Sequence, residues 1–243
     1  MTSREQTGFL PRVEARDWRR TPADWAWLIG LGAVQWPWLL RSLRGGARAD
    51  KARLLDELGL PGDALPHLGS WKADVGFLRL IADHVAAAQP REVVEFGAGA
   101  STLIIAKALE QAGGGRLTSF DQHEDFVAAT RAWLAEHGLA ADLRAASLVP
   151  GAAAGLWYDH GPLPETIDLL ILDGPPWTVH PLTRGNAETL FDRVAPGGTI
   201  LLDDAARPGE RIVARGWRKR WPDFTFELVK SGTKGTLVGR RRA

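Results

Sequence analysis

A glycine-rich loop between a short apolar strand and a helical pattern holds the residues best suited to bind a ligand. Its sequence is Glu95-Phe96-Gly97-Ala98-Gly99-Ala100-Ser101. Glycines let the backbone turn sharply and approach a ligand with no Cβ in the way. The unpaired N–H groups at the start of the following helix suit a carboxylate or a phosphate. The loop therefore predicts a site for a nucleotide-type cofactor.

A second acid, Asp121, ends the next predicted strand, 24 residues after Gly97. A carboxylate there can accept hydrogen bonds from both hydroxyls of a ribose, and such charge-assisted bonds contribute about 1.5–3 kcal/mol each. The alternative is that Asp121 only caps the helix that follows. The first interpretation predicts a cofactor that carries a ribose.

Two cofactors with a ribose fit this geometry, NAD and S-adenosylmethionine. The dinucleotide fingerprint has a third glycine where this chain has Thr102, and it does not require an acid at the position of Glu95. S-adenosylmethionine carries an α-amino group and a sulfonium but no pyrophosphate. Glu95 therefore favours S-adenosylmethionine, and an NAD-dependent oxidoreductase is the alternative.

Carboxylates also follow two later predicted strands. Asp173 follows the most apolar strand and is succeeded by Gly174-Pro175-Pro176-Trp177, while Asp203 and Asp204 follow the next strand. Strand ends on one edge of an open sheet share a ligand cleft, so these acids should converge. Asp173 with Asp204 could hold Mg²⁺, which prefers oxygen ligands and acidifies a bound hydroxyl. A metal-free reaction would use Asp173 or His180 as general base.

Three other polar residues near this edge have less defined roles. For Asp203, solvation of the strand end is the favoured interpretation. Arg184 either binds an anionic substrate group or pairs with an acid. Both alternatives for Arg184 stay open on the sequence.

The elements that must position these residues alternate between strand and helix from about Ser70 onward, which predicts an α/β fold with a mainly parallel sheet. Parallel strands are predicted at 92–96, 117–120, 142–148, 167–172 and 199–202, and helices at 71–88, 101–111, 124–137 and 186–194. The last two strands, 224–229 and 236–240, are separated by too few residues for a helical crossover, so they should be antiparallel.

Four stretches, in this order, resemble motif I, the acid that follows it, motif IV and the turn before motif V of class I methyltransferases. They are Glu95-Phe96-Gly97-Ala98-Gly99, Ser119-Phe120-Asp121, Leu172-Asp173-Gly174-Pro175-Pro176 and Ala195-Pro196-Gly197-Gly198-Thr199. The small-molecule O-methyltransferase branch is the most similar, over about residues 70–243. The resemblance implies a Rossmann-like, doubly wound seven-stranded sheet with a reversed last strand. It also implies S-adenosyl-L-methionine as cofactor and a hydroxyl of a small molecule as methyl acceptor.

The resemblance further implies which residues bind the cofactor. They are Glu95, Gly97, Ala98, Gly99, Ser101 and Asp121, with Gln122 near the adenine and Ser147 beside the adenine edge. In metal-dependent members Asp173 and Asp204 match two metal ligands. The third ligand, an asparagine, is Ala205 in this chain, which puts the metal in doubt.

The N-terminal segment, residues 1–60, lies largely outside the resemblance and is predicted to be a helical, Trp-rich extension to a methyltransferase domain at 61–243. Residues 25–40 are almost wholly apolar, hold four of the 11 tryptophans and are flanked by arginines. This stretch is shorter than the roughly 20 residues that span a bilayer. It predicts a helix that packs on the domain, forms a homodimer interface or contacts a membrane surface.

Composition excludes several other classes. The 243-residue chain has no cysteine, which excludes disulfides, zinc–thiolate sites and thiol nucleophiles and fits a cytoplasmic location. The polar first 24 residues do not predict a cleaved signal peptide. The net charge of +1 does not predict binding to nucleic acid, although residues 217–221 and 240–242 are basic. A non-catalytic, membrane-apposed protein on the same fold is the remaining alternative.

Overall fold

The computed structural model describes residues 19–243, and a seven-stranded sheet forms its centre. The strands are β1 (Glu92–Phe96), β2 (Arg116–Asp121), β3 (Asp142–Ala145), β4 (Leu148–Pro150), β5 (Leu156–Tyr158), β6 (Ile167–Leu172), β7 (Val194–Leu202), β8 (Phe224–Val229) and β9 (Thr236–Arg241). The helices are α1 (Pro22–Ser42), α2 (Arg48–Glu57), α3 (Val75–Ala88), α4 (Ala100–Gln111), α5 (Glu124–Glu136) and α6 (Pro208–Arg220), with a 3-10 segment at Thr183–Arg193.

The strand order is β3-β2-β1-β6-β7-β9-β8. Neighbouring strands from β3 to β7 pair in parallel, whereas β9 runs antiparallel to both β7 and β8. The predicted doubly wound sheet with a reversed last strand is thereby confirmed. β1 and β6 lie at the centre, so the loops that follow them are neighbours at the carboxyl edge of the sheet.

The predicted third strand, 142–148, was wrong in its second half. Only β3 joins the main sheet, and the chain then turns away so that β4 pairs with β5 as a separate antiparallel hairpin. The prediction extended too far because the alternation of buried and exposed residues continues past the end of β3. Ala146 and Leu148 are buried on either side of exposed Ser147. The hairpin places Tyr158 over the carboxyl edge of the main sheet.

Two helix predictions also differ from the structure. The helix predicted from residue 71 begins at Val75, because the Asp74 carboxylate accepts a hydrogen bond from the Phe77 N–H at 2.9 Å and so caps it. The helix predicted at 186–194 is the 3-10 segment. Helix α2 lies within the extension predicted to be helical, whereas no bounded helix was predicted for the stretch that forms α6.

The N-terminal helix α1 runs without interruption through Pro37 and is closed at its start by a capping box between Thr21 and Asp24. In α2, Leu54 and Leu55 are buried in the same apolar cluster as Leu78 of α3. The boundary at residue 60 therefore stays a prediction, since the core of the domain extends back into α2. Residues 1–18, which include most of the segment considered for a signal peptide, lie outside the described residues.

Candidate active site at the carboxyl edge of the sheet

Glu95, near the end of β1, is fully buried beneath the glycine-rich loop. Its Oε2 accepts hydrogen bonds from the hydroxyls of Thr102 at 2.6 Å and Ser119 at 2.5 Å, while Oε1 is buried with no hydrogen-bond partner among the described residues. The Thr102 hydroxyl also accepts the Gly99 N–H at 2.8 Å. Thr102, which replaces the third glycine of a dinucleotide fingerprint, therefore fixes both the acid and the loop.

The loops after β1 and β6 approach each other so closely that Gly97 cannot carry a side chain. Gly97 has a φ of +102°, and a Cβ on it would lie 2.6 Å from the backbone nitrogen of Gly174. The backbone N–H groups of Asp173 and Gly174 both donate to the Phe96 carbonyl at 2.8 Å. The glycine turn and the Asp173 loop are thus held as one backbone unit.

Asp121 lies at the end of β2 and is largely buried. Its Oδ1 accepts the His123 N–H at 2.9 Å, and α5 has no side-chain cap. The acid therefore stabilises the turn before α5 rather than capping the helix. Beside it, the Gln122 side chain lies 3.1 Å from the His123 ring.

Tyr158, at the end of β5, was missed by the sequence prediction. The Tyr158 hydroxyl donates to Gln122 Oε1 at 3.2 Å. A Cβ on Gly174 would lie only 2.1 Å from the hydroxyl oxygen of Tyr158. Its ring packs against Phe96, with the ring centroids 5.3 Å apart. The side chain is buried, so the phenol fills the space between the Gln122 turn and the Gly174 loop. The chain's single tyrosine was the available signal, but its position depends on the unpredicted hairpin.

The three predicted acids surround one place. Burial raises the pKa of Glu95 to about 6, against hydrogen bonds from Ser101, Ser119 and Thr102. Burial raises the pKa of Asp121 to about 7, and the charge of Glu95 adds to that rise. Burial likewise raises the pKa of Asp173 to about 6, although Lys234 and Arg184 act against it. Burial also raises the pKa of the Tyr158 hydroxyl, and the charges of Asp121, Asp173 and Glu95 add to that rise.

These raised pKa values predict that the protein without ligand is most stable on the acid side of neutrality. The pKa of each carboxyl is higher in the folded protein than in the unfolded chain, so the folded state binds more protons between the two values. The free energy of unfolding should therefore fall as pH rises through about 6 to 7. Thermal unfolding from about pH 6.5 to 8 measures this, and Asp121→Asn should flatten the dependence. A melting temperature that rises with pH over that range would contradict the prediction.

A second cluster of acids lies next to the first, where the loops after β6 and β7 meet. One oxygen from each of Asp173, Asp203 and Asp204 lies within 4.8 Å of the others. Arg184 Nη1 lies 3.3 Å from Asp204 Oδ2, Arg207 Nη2 2.9 Å from Asp204 Oδ1, and Lys234 Nζ 3.3 Å from Asp203 Oδ2. Burial acts to raise the pKa of Asp204, but Arg207, Lys234 and Arg184 outweigh it and hold that pKa at about 2.

Arg184 is the centre of this cluster and pairs with acids, the second of the two roles left open for it. Its guanidinium also donates to the carbonyls of Pro175 at 3.2 Å, Asp203 at 3.0 Å and Asp173. It is 5% exposed. Arg184 therefore joins the two loops that carry the predicted transfer residues.

The donor set does not fit a divalent metal. Asp173 and Asp204, the two predicted ligands, already face the guanidinium of Arg184, and the ammonium of Lys234 lies between Asp203 and Asp204. To bind these acids, Mg²⁺ would have to displace the buried side chains of Arg184 and Lys234. Its two positive charges would then only replace the two that those side chains already supply. Ala205, in place of the third ligand, supplies no oxygen from its side chain.

His180 lies apart from the acids, on the side of the loop that faces α1. Its Nδ1 accepts the Leu182 N–H at 3.1 Å and its Nε2 lies 3.7 Å from Asp24 Oδ1. Burial lowers its pKa, against the charge of Asp24. With both ring nitrogens engaged, His180 is less suited than Asp173 to accept a proton from a substrate.

Helix α1 covers the loop that follows Asp173. Arg20 donates to the Thr178 carbonyl at 2.7 Å, and a Cβ on Gly32 would meet the Trp177 ring at 3.6 Å. A small cavity of about 20 Å³ remains beneath the end of the helix, lined by Leu39, Ser42, Leu43, Ser70, Trp71, Trp177 and Arg207. It reaches the acidic cluster through Arg207. The N-terminal extension therefore forms one wall of the site.

Comparison with known proteins agrees with this geometry. Residues 94–205 match the family model described as a methyltransferase domain. This part of the chain is therefore similar to a methyltransferase domain. The match begins within β1 and ends just after β7, so it includes Glu95, Asp121, Asp173 and Asp204. No curated protein sequence matches the chain.

Solved structures share the fold of the methyltransferase domain. The O-methyltransferase TomG from Streptomyces achromogenes, involved in tomaymycin synthesis and solved with SAM, is 18% identical with a TM-score of 0.53 over 81% of this chain and 89% of that one. An O-methyltransferase from Bacillus cereus, solved with SAH, is 14% identical with a TM-score of 0.55 over 80% and 91%. A methyltransferase from Geobacter sulfurreducens is 19% identical with a TM-score of 0.53 over 80% and 88%. At these identities the likeness shows the class I fold.

The remaining predicted contacts differ in their setting. Ala98 and Ser101 are buried beside Glu95, at the start of α4, as the predicted cofactor loop requires. Ser147 is exposed between β3 and β4, and its carbonyl accepts the Asp159 N–H at 2.8 Å. Its contact with an adenine stays a prediction.

Proposed function

We propose that the protein transfers a methyl group from S-adenosyl-L-methionine to a hydroxyl of a small molecule. The observation that carries this proposal is the position of Glu95, Asp121 and Asp173 at or just after the ends of three adjacent strands, β1, β2 and β6, beside the turn at Gly97. The NAD alternative is not favoured, because Thr102 fills the position of the third glycine and bonds to Glu95.

The residues at the glycine-rich loop fit the cofactor. Glu95 keeps one buried oxygen without a hydrogen-bond partner among the described residues, and the Asp121 carboxylate bonds to the backbone of the turn before α5. Asp121 would hold the ribose hydroxyls, and Glu95 with the loop backbone would hold the amino-acid portion. When bound, the cofactor supplies an electrophilic methyl group on a sulfonium.

For the transfer itself, we assign the general base to Asp173. Its pKa near 6 leaves it ionised at neutral pH and yet basic enough to accept a proton from an acceptor hydroxyl. Arg184 would hold the carboxylate in place. The acceptor would bind beside Trp71 and Trp177, whose indole rings suit a small apolar or aromatic molecule. The cavity of about 20 Å³ between them would have to widen to admit it.

Labelled S-adenosylmethionine and a panel of small phenols and alcohols test this assignment. Asp173→Asn should lower kcat by about 10²–10⁴-fold with little change in cofactor affinity, because it removes a base but not a cofactor contact. His180→Gln is the matched comparison and should keep most of kcat. Equal losses in the two variants would contradict the assignment of the base to Asp173.

We also propose that transfer is independent of metal. Because Arg184 and Lys234 neutralise the acids, turnover should survive EDTA and should not respond to added Mg²⁺. Loss of activity in EDTA, restored by Mg²⁺, would overturn this part of the proposal and return Asp173 and Asp204 to the role of ligands.

The position of Tyr158 predicts that its ring must move before the cofactor enters. The phenol lies against Gly174 and among the acids that would hold the cofactor. Tyr158→Ala should raise the association rate constant for S-adenosylmethionine several-fold, whereas Tyr158→Phe, which keeps the ring, should stay near the wild-type rate. Stopped-flow tryptophan fluorescence measures both rates. A slower association in Tyr158→Ala would show that the ring contributes to binding instead.

The compartment and the partners of α1 remain proposals. The absence of cysteine is the basis for a cytoplasmic location. Of the two partners considered for α1, the geometry favours a membrane surface over a second copy of the chain.

A further inference from the structure

The solvent face of α1 is apolar along almost the whole helix. Every exposed residue between positions 25 and 40 has an apolar side chain or none, and the most exposed of the large side chains are Ile29 at 66%, Trp36 at 57% and Val34 at 56%. Trp25, Trp27 and Leu40 are also exposed. Soluble proteins rarely leave so large a contiguous apolar patch uncovered. We call this patch the α1 outer face.

The outer face is distinct from the face that packs on the domain. Gln35, the single polar residue between positions 25 and 40, is fully buried on the inner face, as is Ser42. Gly32 lies against Trp177 on that side. The domain therefore fixes the orientation of the helix and leaves the aromatic and aliphatic side chains pointing away from the core.

Among residues 19–243, the most exposed charges at the two ends of the outer face are those of arginines. Exposed arginines stand at both ends of the helix, Arg19 before it and Arg41 and Arg44 at its end. The one acid in α1, Asp24, is partly exposed, but it accepts hydrogen bonds from Thr21 and lies 3.7 Å from His180. The outer face is thus an apolar strip between two cationic ends.

We propose that the α1 outer face binds the surface of an anionic lipid membrane, with the helix lying in the interface. Tryptophans and aliphatic side chains enter the boundary between headgroups and acyl chains, while arginines bind anionic headgroups. No described helix is long and apolar enough to cross a bilayer. The contact is therefore one of surface attachment and does not depend on the proposed reaction.

A second copy of the chain fits this face less well. If two α1 helices paired antiparallel, Arg19 of each would approach Arg41 and Arg44 of the other, and a parallel pair would bring each arginine to its own counterpart. The outer face carries no acid to compensate. Like charges across an interface oppose association, whereas an anionic membrane compensates all three arginines.

Flotation of the full chain with lipid vesicles tests the proposal. The probes are vesicles of phosphatidylcholine alone and vesicles of equal parts phosphatidylcholine and phosphatidylglycerol. The protein should float with the anionic vesicles and bind them at least tenfold more strongly than the neutral ones. Arg41→Gln with Arg44→Gln should weaken anionic binding by about 25-fold, because each arginine near such a surface contributes about fivefold. Arg116→Gln, at the opposite edge of the sheet, should have no effect.

A second pair of variants tests the apolar strip. Ile29→Ser with Trp36→Ser should reduce binding to anionic vesicles by more than tenfold, while Ile212→Ser, which changes an exposed isoleucine of α6, should not. Far-ultraviolet circular dichroism verifies that each variant is folded. Failure of the folded wild-type chain to bind anionic vesicles would overturn the proposal, as would equal binding to both vesicle types. A concentration-dependent dimer that Ile29→Ser with Trp36→Ser disperses, without vesicle binding, would show that a second copy covers the face.

Discussion

Replacing Arg184 with methionine should lower the free energy of unfolding by about 3–5 kcal/mol, because it leaves buried acids without their counter-charge. The guanidinium lies 3.3 Å from Asp204 Oδ2 and 3.5 Å from Asp173 Oδ1. It also satisfies the carbonyls of Pro175 and Asp203, which would be left buried without a donor. Methionine keeps much of the side-chain length but none of these bonds.

Urea denaturation at neutral pH measures this loss. Arg211→Met, on the exposed surface of α6, is the matched control and should change stability by less than about 0.5 kcal/mol. Arg184→Lys should recover only part of the stability, because an ammonium cannot reach the two loops at once as the guanidinium does. If Arg184→Met unfolded at the wild-type urea concentration, the acids would not depend on it, and the interpretation of the cluster would be wrong.

Asp121→Ala should weaken S-adenosylmethionine binding by about 10²–10⁴-fold. Two charge-assisted hydrogen bonds to ribose hydroxyls, at about 1.5–3 kcal/mol each, account for that range. The same change should alter the stability of the protein without ligand little at neutral pH, because loss of the hydrogen bond from the His123 N–H is offset by removal of a buried carboxylate whose pKa burial raises to about 7.

A large loss of affinity without a matching loss of stability makes the test specific. Asp192→Ala removes an exposed acid at the far end of the 3-10 segment and should alter neither affinity nor stability. Isothermal titration measures the affinity and thermal unfolding the stability. An Asp121→Ala variant that is unstable but binds the cofactor with wild-type affinity would show that Asp121 serves the turn before α5 alone.

Local sequence patterns were sufficient to predict much of the sheet. β6 is apolar except for Asp168, as is typical of a strand buried on both faces, and its bounds agree with the prediction. The short connection between β8 and β9 permitted only an antiparallel pair. Glu95 and Asp121 could be placed because each lies at a strand end, where a parallel sheet brings its ligands together.

The unpredicted features depend on contacts between residues far apart in the chain. Tyr158 reaches the site because β4 leaves the sheet and pairs with β5, and neither three-residue strand is long enough to show a periodic pattern. Lys234 reaches Asp203 from the loop between β8 and β9, a contact that no local motif encodes. The hypothesis of a Mg²⁺ site was based on the acids alone. That Arg184, Arg207 and Lys234 lie among these acids depends on the fold and on no local pattern.

Calorimetric titration of the folded wild-type chain with S-adenosylmethionine, and separately with NADH, addresses the central claim most directly. The carboxylates around the Gly97 turn should give a saturable heat with the first compound and none with the second. Saturation with NADH, or no heat from S-adenosylmethionine at about millimolar concentration, would contradict the claim that this edge of the sheet is a methyl-donor site.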